Sequence, residues 1–474
     1  MDVTPELNEQ SKDPLYLQLY SYFKEEIKNG RISSLTRLPS IRQLANHLNL
    51  SKTTVQIAYQ QLLAEGYIES KERSGYYVMK IVGESFGDVT SDSPDTYSLD
   101  KPKAHNNILY DFYMSRIDLD HFPYSKWRAC SNQSINSDQR ELLSYGDPQG
   151  EMGLRLAICN YLRHARGVNC SPEQIVIGAG TQTVITLLCQ LVGLDRKKIA
   201  MEEPGYHGVR QVLDQLGFNI KPIPVQEDGI SMAELEKSSA HVVYVTPSHQ
   251  YPLGMVMPIA KRMKILEWAK ENNSLIIEDD YDGEFRYQGR PIPSLQGLDT
   301  HGNVVYVGTF SKSLMPAIRV SYMVLPKRLL NAYRNNLFQY DQTVSRLHQK
   351  SIQIFMESGE WERHIRRMRN IYQKKHDVLL QTIKNVMKEN VKITGQDAGL
   401  HIIIKVNTSK NADDLVKIAE DVGVKVYSTT NNWINKQNVI PPLILLGFGG
   451  LSVQEIEKGI KRLHMAWLPF YSVD

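Results

Sequence analysis

The 474-residue sequence has no long hydrophobic run, few cysteines and almost no net charge. No apolar stretch approaches the roughly 18–20 residues that a bilayer-crossing helix needs, so a membrane protein is not expected. The N-terminal segment MDVTPELNEQSKD is polar and acidic and has no apolar stretch of the secretory-signal kind. Cys130, Cys159, Cys170 and Cys189 form no C-x-x-C pair and no ladder of spacings, which argues against zinc fingers and a disulfide scaffold. Sparse, unpatterned cysteine fits a reducing compartment, and a cytoplasmic protein is expected. Lys+Arg number 55 and Asp+Glu 52, a formal charge of +3, too small for a wholly basic nucleic-acid coat. A local basic patch is compatible with that average.

What is present divides the chain. Residues 81–106, IVGESFGDVTSDSPDTYSLDKPKAHN, are rich in Ser, Asp, Pro and Gly and lack sustained periodicity. Such a composition buries too little apolar area to order itself, so a linker is predicted. If flexible, it spans roughly 28 Å. It separates a small block, residues 1–80, from a large one, residues 107–474.

In the small block, Leu15, Leu19, Tyr22, Phe23 and Ile27 form one apolar helical stripe, closed by Gly30. A short second helix is predicted from Ser40 to His47, followed by a turn at Asn49-Leu50. Ser51 caps a third helix, SKTTVQIAYQQLLAEG, with Val55, Ala58, Tyr59, Leu62 and Leu63 expected inward. Tyr67–Glu69 and Gly75–Val78 alternate around Lys71–Ser74 and predict a hairpin. Between Lys28 and Ala64 stand Lys28, Arg31, Arg37, Arg42 and Lys52 and no acid. A second helix opening with small polar and basic residues suits a DNA major groove. The plainer reading is a three-helix interaction module with a solvated basic face.

The string LPSIRQLA, then LSKTTVQ, AYQQLLAEGYI and SGYYV, resembles the GntR-type winged helix-turn-helix. That resemblance implies binding to double-stranded promoter DNA. It makes Arg42, Ser51, Lys52, Thr53 and Thr54 DNA contacts, with Arg73 and Gly75 at the wing. Lys52 stands where the family more often has Arg, keeping the charge and losing the planar fork.

Beyond residue 107, apolar runs alternate with helical segments: QIVIGAG, IAMEEPG, HVVYVTP, LIIEDDY and NVVYVGTFSK. Short runs of this kind predict a mainly parallel sheet in an α/β fold. A helix-rich stretch from 326 to 390 and the strand-like AGLHIIIKV and PPLILLGFG predict a smaller α+β part. Gly178-Ala179-Gly180-Thr181 lies between strand and helix, where amides can meet a phosphate, or where the glycines serve a turn alone. Glu278-Asp279-Asp280-Tyr281-Asp282 ends a strand, so one carboxylate is expected to be half-buried and to need a cation, a metal or a protonated heterocycle. A solvated acidic turn is the alternative. Lys312, in TFSKS, ends another strand and, once desolvated, becomes a nucleophile, although surface lysines are commoner. Tyr206, in EPGY, is placed to stack on a ring or to pack in the core.

In this order, E-x-P-x-Y, D-D-Y-D, S-K-S and a later Arg resemble class I aminotransferases of fold type I. The resemblance implies a pyridoxal 5′-phosphate cofactor joined to Lys312 as a Schiff base. It puts Asp279 on the pyridine nitrogen, Tyr281 on the phenolic oxygen and Tyr206 on the ring face. Gly180, Thr181, Gln182, Thr309, Ser311 and Arg319 become the phosphate's neighbours, and Tyr145 reaches the partner subunit's phosphate in a homodimer. No metal is implied. A GntR-type head on such a body is the layout of the MocR family of bacterial regulators.

Departures from the pattern bear on function. The segment LILLGFGGL, where aminotransferases carry an Arg for the substrate carboxylate, has none, and neither does 426–432. His207 and Gly208 follow Tyr206 where a carboxylate-binding member has basic residues, and Tyr251 rather than Asn precedes Pro252. Arg116 is the remaining candidate for a carboxylate. The preferred reading is a transcriptional regulator, not a turning-over enzyme, that senses pyridoxal 5′-phosphate through Lys312 and controls vitamin B6 synthesis. The alternatives are a sensor of an amino acid such as GABA, and an active aminotransferase tethered by its head.

Overall fold

The computed structural model describes residues 5, 7–8, 10–72, 74–80, 108–193, 198–287, 292–336, 340–435 and 442–472. The expected linker 81–106 and the wing residue Arg73 lie outside them. The chain divides into two compact units, Met1–Ala104 and His105–Asp474.

The first unit holds helices α1 (Leu15–Lys28), α2 (Ile41–His47) and α3 (Lys52–Ala64). They are followed by the antiparallel pair β1 (Ile68–Lys71) and β2 (Gly75–Val78). Local chemistry sets the boundaries. The Ser40 hydroxyl and the Gln43 side chain cap the start of α2 reciprocally, and the Ser51 hydroxyl accepts from the Thr54 amide at 3.0 Å to start α3. Asn49 turns the chain between them with φ of 54°, a conformation that Asn tolerates better than most residues. Leu19, Phe23, Ile27, Leu44, Val55, Tyr59, Leu62, Ile68 and Val78 form the core, each large side chain contributing about 1.5–3 kcal/mol by burial. Leu63, expected inward, is 40% exposed: Val55, Ala58, Tyr59 and Leu62 already complete the buried stripe, and Leu63 lies beyond its edge.

The second unit is built on an eight-stranded sheet. The five expected runs all form strands in it: Ile175–Gly178, Lys198–Glu203, Val242–Val245, Leu275–Asp280 and Val304–Thr309. Asn219–Gln226 joins them in parallel. Ser321–Val324 was not foreseen; it lies antiparallel between Val304–Thr309 and Ile175–Gly178. The short Gly229–Ile230 edge also runs antiparallel. Burial on both faces explains why these strands read as continuous apolar runs rather than alternating ones. The helical stretch holds Lys327–Asn336, Arg346–Glu357 and the long helix Glu360–Val386. A four-stranded antiparallel sheet containing His401–Val406 and Leu443–Gly447 forms the smaller part. No helix among the described residues is long and apolar enough to cross a membrane.

Candidate functional site

The carboxyl ends of the parallel strands open onto a cavity of about 370 Å³, where α/β sheets commonly bind ligands. Its wall includes Thr181, Gln182, Tyr206, Asp279, Tyr281, Thr309, Ser311, Lys312 and Arg319. Nine of the eleven expected cofactor residues thus converge in one space. Gly180 adjoins it through Arg319. Tyr145 does not line it and is 91% exposed.

The acidic run at the end of Leu275–Asp280 sorts itself by hydrogen bonding. The expectation of one half-buried carboxylate is corrected: Glu278, Asp279, Asp280 and Asp282 are all buried. Strand alternation sends Glu278 and Asp280 to one face and Asp279 to the other, and Asp282 lies beyond the strand end. Glu278 accepts from the amides of Leu295 and Gln296. Asp280 pairs with Arg166 at 2.6 Å and accepts from the Tyr306 hydroxyl at 2.7 Å. Asp282 pairs with His249 at 2.9 Å. Asp279 accepts only from the Tyr244 hydroxyl, leaving its Oδ1 buried without a partner. Burial pushes its pKa up to about 7. It therefore lacks the cation that a buried carboxylate needs.

Across the cavity, the Lys312 ammonium donates to the Met114 carbonyl at 2.6 Å. Burial lowers its pKa to about 8, with Asp282 opposing the shift, so the neutral amine is accessible near physiological pH. The Tyr281 hydroxyl lies 2.9 Å from His249 Nδ1, the same nitrogen that meets Asp282.

A third group forms an anion cradle. Gly180, with φ of 93°, immediately precedes helix Thr181–Val192, whose first amides have no intrahelical partner. A Cβ at Gly180 would stand 2.1 Å from Arg319 Nη2, so a side chain there would push the guanidinium away from this turn. Arg319 itself has φ of 51° and is exposed toward the cavity. The Thr309 hydroxyl accepts from the Ser311 amide at 3.2 Å and from the Ser321 hydroxyl at 2.8 Å, fixing the strand end. The arrangement offers a near-neutral amine, a vacant carboxylate oxygen and positively polarised amides beside a guanidinium.

Sequence reasoning missed several residues of this site. Tyr244 was read only as part of a buried strand, yet it orients Asp279. His249 was not singled out, and with Asp282 and His401 it brings donor atoms within 4.8 Å. His249–Asp282 and the 3.0 Å contact from His401 Nε2 to the Pro252 carbonyl already link these groups into the fold. Asn431 and Asn432 join the wall from the segment 426–432, which the sequence had marked only for its lack of an Arg. Arg116 pairs with Asp111 at 2.9 Å and does not line the cavity.

The first unit presents a different surface. Arg42, Lys52 and Thr53 are exposed. Thr54 is half-buried, and its hydroxyl lies 2.8 Å from that of Ser51, so the helix cap already engages both side chains. Gly75, with φ of 107°, stands beside the Arg37 guanidinium, 3.5 Å from the place a Cβ would take. Lys28 and Arg31 are paired with Glu25 and Glu26, which leaves Arg37, Arg42 and Lys52 as the unpaired cations of the acid-free stretch among the described residues. Arg37 was counted only as charge; its place beside the wing is a tertiary fact.

Two family models match the chain: the gntR family of bacterial regulatory proteins over residues 15–78, and aminotransferase class I and II over residues 116–463. The kynurenine aminotransferase of Pyrococcus horikoshii shares the fold of the second unit, with a TM-score of 0.68 and 24% identity over 77% of this chain and 91% of that one. These define a DNA-binding regulator head fused to an aminotransferase-type body. The probable rhizopine catabolism regulatory protein MocR of Rhizobium meliloti is 30% identical over 98% of this chain and 96% of its own. The uncharacterized HTH-type transcriptional regulator YhdI of Bacillus subtilis is 42% identical over the full length of both. The pyridoxine biosynthesis transcriptional regulator PdxR of Corynebacterium glutamicum is 28% identical over 91% of this chain and 92% of its own. The chain belongs to the MocR-type family of HTH transcriptional regulators.

Proposed function

We propose that the protein regulates transcription in response to pyridoxal 5′-phosphate, which its body holds through Lys312. The observation that carries this reading is the buried Asp279 Oδ1 without a partner, on the same cavity as the lowered-pKa Lys312. A protonated pyridine nitrogen would supply the missing partner for Asp279. The turn at Gly180, the amides of Thr181 and Gln182, and the side chains of Thr309, Ser311 and Arg319 would hold the phosphate. Tyr281 would meet the phenolic oxygen and Tyr206 the ring face. The cofactor, when bound, supplies an aldehyde that a neutral amine captures covalently. Lys312 provides that amine, and Tyr244 keeps Asp279 oriented.

Retention of an amino acid is disfavoured by the wall itself. Among its described residues the Arg and Lys are Lys312 and Arg319, both engaged by the cofactor in this reading. His207 is the remaining basic side chain, and burial with nearby Arg210 lowers its pKa, so it stays neutral at pH 7. Arg210 donates to the Asn431 carbonyl at 2.6 Å. Among the described residues of the wall, an α-carboxylate therefore finds no guanidinium beyond the one the cofactor's phosphate would engage. This supports a sensor rather than a transaminase. PdxR, a regulator of pyridoxine biosynthesis by name, favours control of vitamin B6 supply.

A homodimer is part of the proposal: exposed Tyr145 would complete the partner's phosphate site. Residues 1–80 would act as the DNA-binding domain, 81–106 as a flexible tether and 107–474 as the cofactor-binding and dimerisation domain, in the cytoplasm. Two tethered heads gain avidity through effective concentration. Arg42, Lys52, Thr53 and the wing residues Arg73 and Gly75 would meet promoter DNA, with Ser51 and Thr54 holding the helix start against it. The test is a titration of purified protein with pyridoxal 5′-phosphate, followed by visible absorbance and by DNA affinity. Lys312→Ala should lose both responses; a normal response in the variant refutes the sensing mechanism.

A further inference from the structure

The exposed face of α3 holds more than the residues its resemblance names. Thr53, Gln56, Ile57 and Gln60 follow the i, i+3, i+4, i+7 spacing and form one exposed strip, opposite the buried Val55, Ala58, Tyr59 and Leu62. Ile57 is 39% exposed, a large apolar side chain in the middle of that strip. The Gln56 and Gln60 amides have no hydrogen-bond partner among the described residues. Gln61, by contrast, donates to Glu65 at 2.8 Å. Glu65, at the far end of the helix, is held by Lys24 and Tyr20, so no free acid faces the strip from α3. Lys52 at the helix start and Arg42 on α2 are exposed and unpaired.

We infer that Gln56, Ile57 and Gln60 read A·T base pairs in the major groove. This rests on the DNA-binding reading of the head and specifies what that head recognises. A primary amide is both donor and acceptor, which matches the N6 amino group and N7 of adenine; an exposed aliphatic group matches the thymine C5-methyl. Guanine is read best by Arg or Lys; from Gln56 to Gln60 the strip carries neither, and Lys52 stands one turn earlier, at its start. Arg42 and Lys52 supply phosphate attraction, which is sequence-independent. The half-site at the centre of α3 is therefore A·T-rich, with a thymine methyl against Ile57.

The test selects duplexes from a randomised library with the full-length protein, then measures affinities on the enriched site. A·T pairs should be enriched at the central positions. Gln56→Ala should relax the preference at one such pair by about fivefold or more. Replacing thymine by uracil, which removes only the methyl, should weaken wild-type binding about fourfold and leave Ile57→Ala indifferent. Lys52→Ala serves as the contrast, lowering affinity for all sequences alike. G·C enrichment at those positions, or equal loss on uracil in wild type and Ile57→Ala, overturns the inference while leaving DNA binding intact. Failure to bind any duplex with salt-sensitive affinity overturns the DNA reading itself, and this one with it.

Discussion

The two units display their working groups in opposite ways. In the head, Arg42, Lys52, Gln56 and Gln60 lie in solvent without internal partners, where their polar ends stay hydrated at little cost. In the body, Asp279 Oδ1 is buried without a partner, at a cost of about 1–3 kcal/mol, and the Lys312 amine lines the same cavity. An exposed unpaired group is weak evidence of a ligand, because water satisfies it. A buried one is strong evidence, because something must. The body's ligand is thus indicated by chemistry at single atoms. The head's ligand is indicated by the pattern of a whole face.

That contrast makes the body the place for large single-site effects. Lys312→Ala should eliminate covalent cofactor capture, read as complete loss of the visible absorbance band. Asp279→Asn keeps the hydrogen-bonding shape but removes the charge that a pyridinium needs. Its cofactor affinity should fall about 10–100-fold, as expected for a charged hydrogen bond, in an equilibrium titration. Gly180→Ala should weaken cofactor binding about tenfold by driving a methyl into Arg319, without changing the DNA affinity of cofactor-free protein. If it alters that affinity as well, the two units are more tightly linked than their separate sites imply.

The pH dependence sharpens the same point. Lys312 is neutral above about pH 8 and Asp279 is ionised above about pH 7. Deprotonation of Lys312 favours capture as pH rises, while the Asp279 contact also needs the pyridine nitrogen to keep its proton. The rate of capture at subsaturating cofactor should therefore increase from pH 6.5 to 9, by stopped-flow absorbance. A flat profile breaks the assignment of Lys312. The smallest effect belongs to the head: Lys52→Ala should reduce DNA affinity only a few-fold and the salt slope by about one.

Legibility followed the range of the interactions. Local chemistry was readable: the Ser51 cap, the Asn49 turn and the apolar strands stand where the residues imply, while Ser40, expected inside the second helix, caps it instead. The site motifs were readable in combination, because Lys312, Asp279 and Tyr206 each end or follow a strand and the parallel sheet brings those ends together. The Ser321–Val324 strand was not readable, since its pairing between Ile175–Gly178 and Val304–Thr309 is set by topology. Tyr244 and His249 were missed for the same reason: their partners Asp279 and Asp282 are more than 30 residues away. The four buried carboxylates looked alike in sequence, and only their partners tell them apart.

In the proposed mechanism, filling the body's cavity changes the head's grip on DNA. The direct measurement is the affinity of cofactor-free protein for its own promoter, titrated with pyridoxal 5′-phosphate, in wild type and Lys312→Ala. A saturable change that follows the absorbance change is expected in wild type, and none in the variant. An affinity unaffected by cofactor in wild type, while the absorbance still changes, would contradict that mechanism.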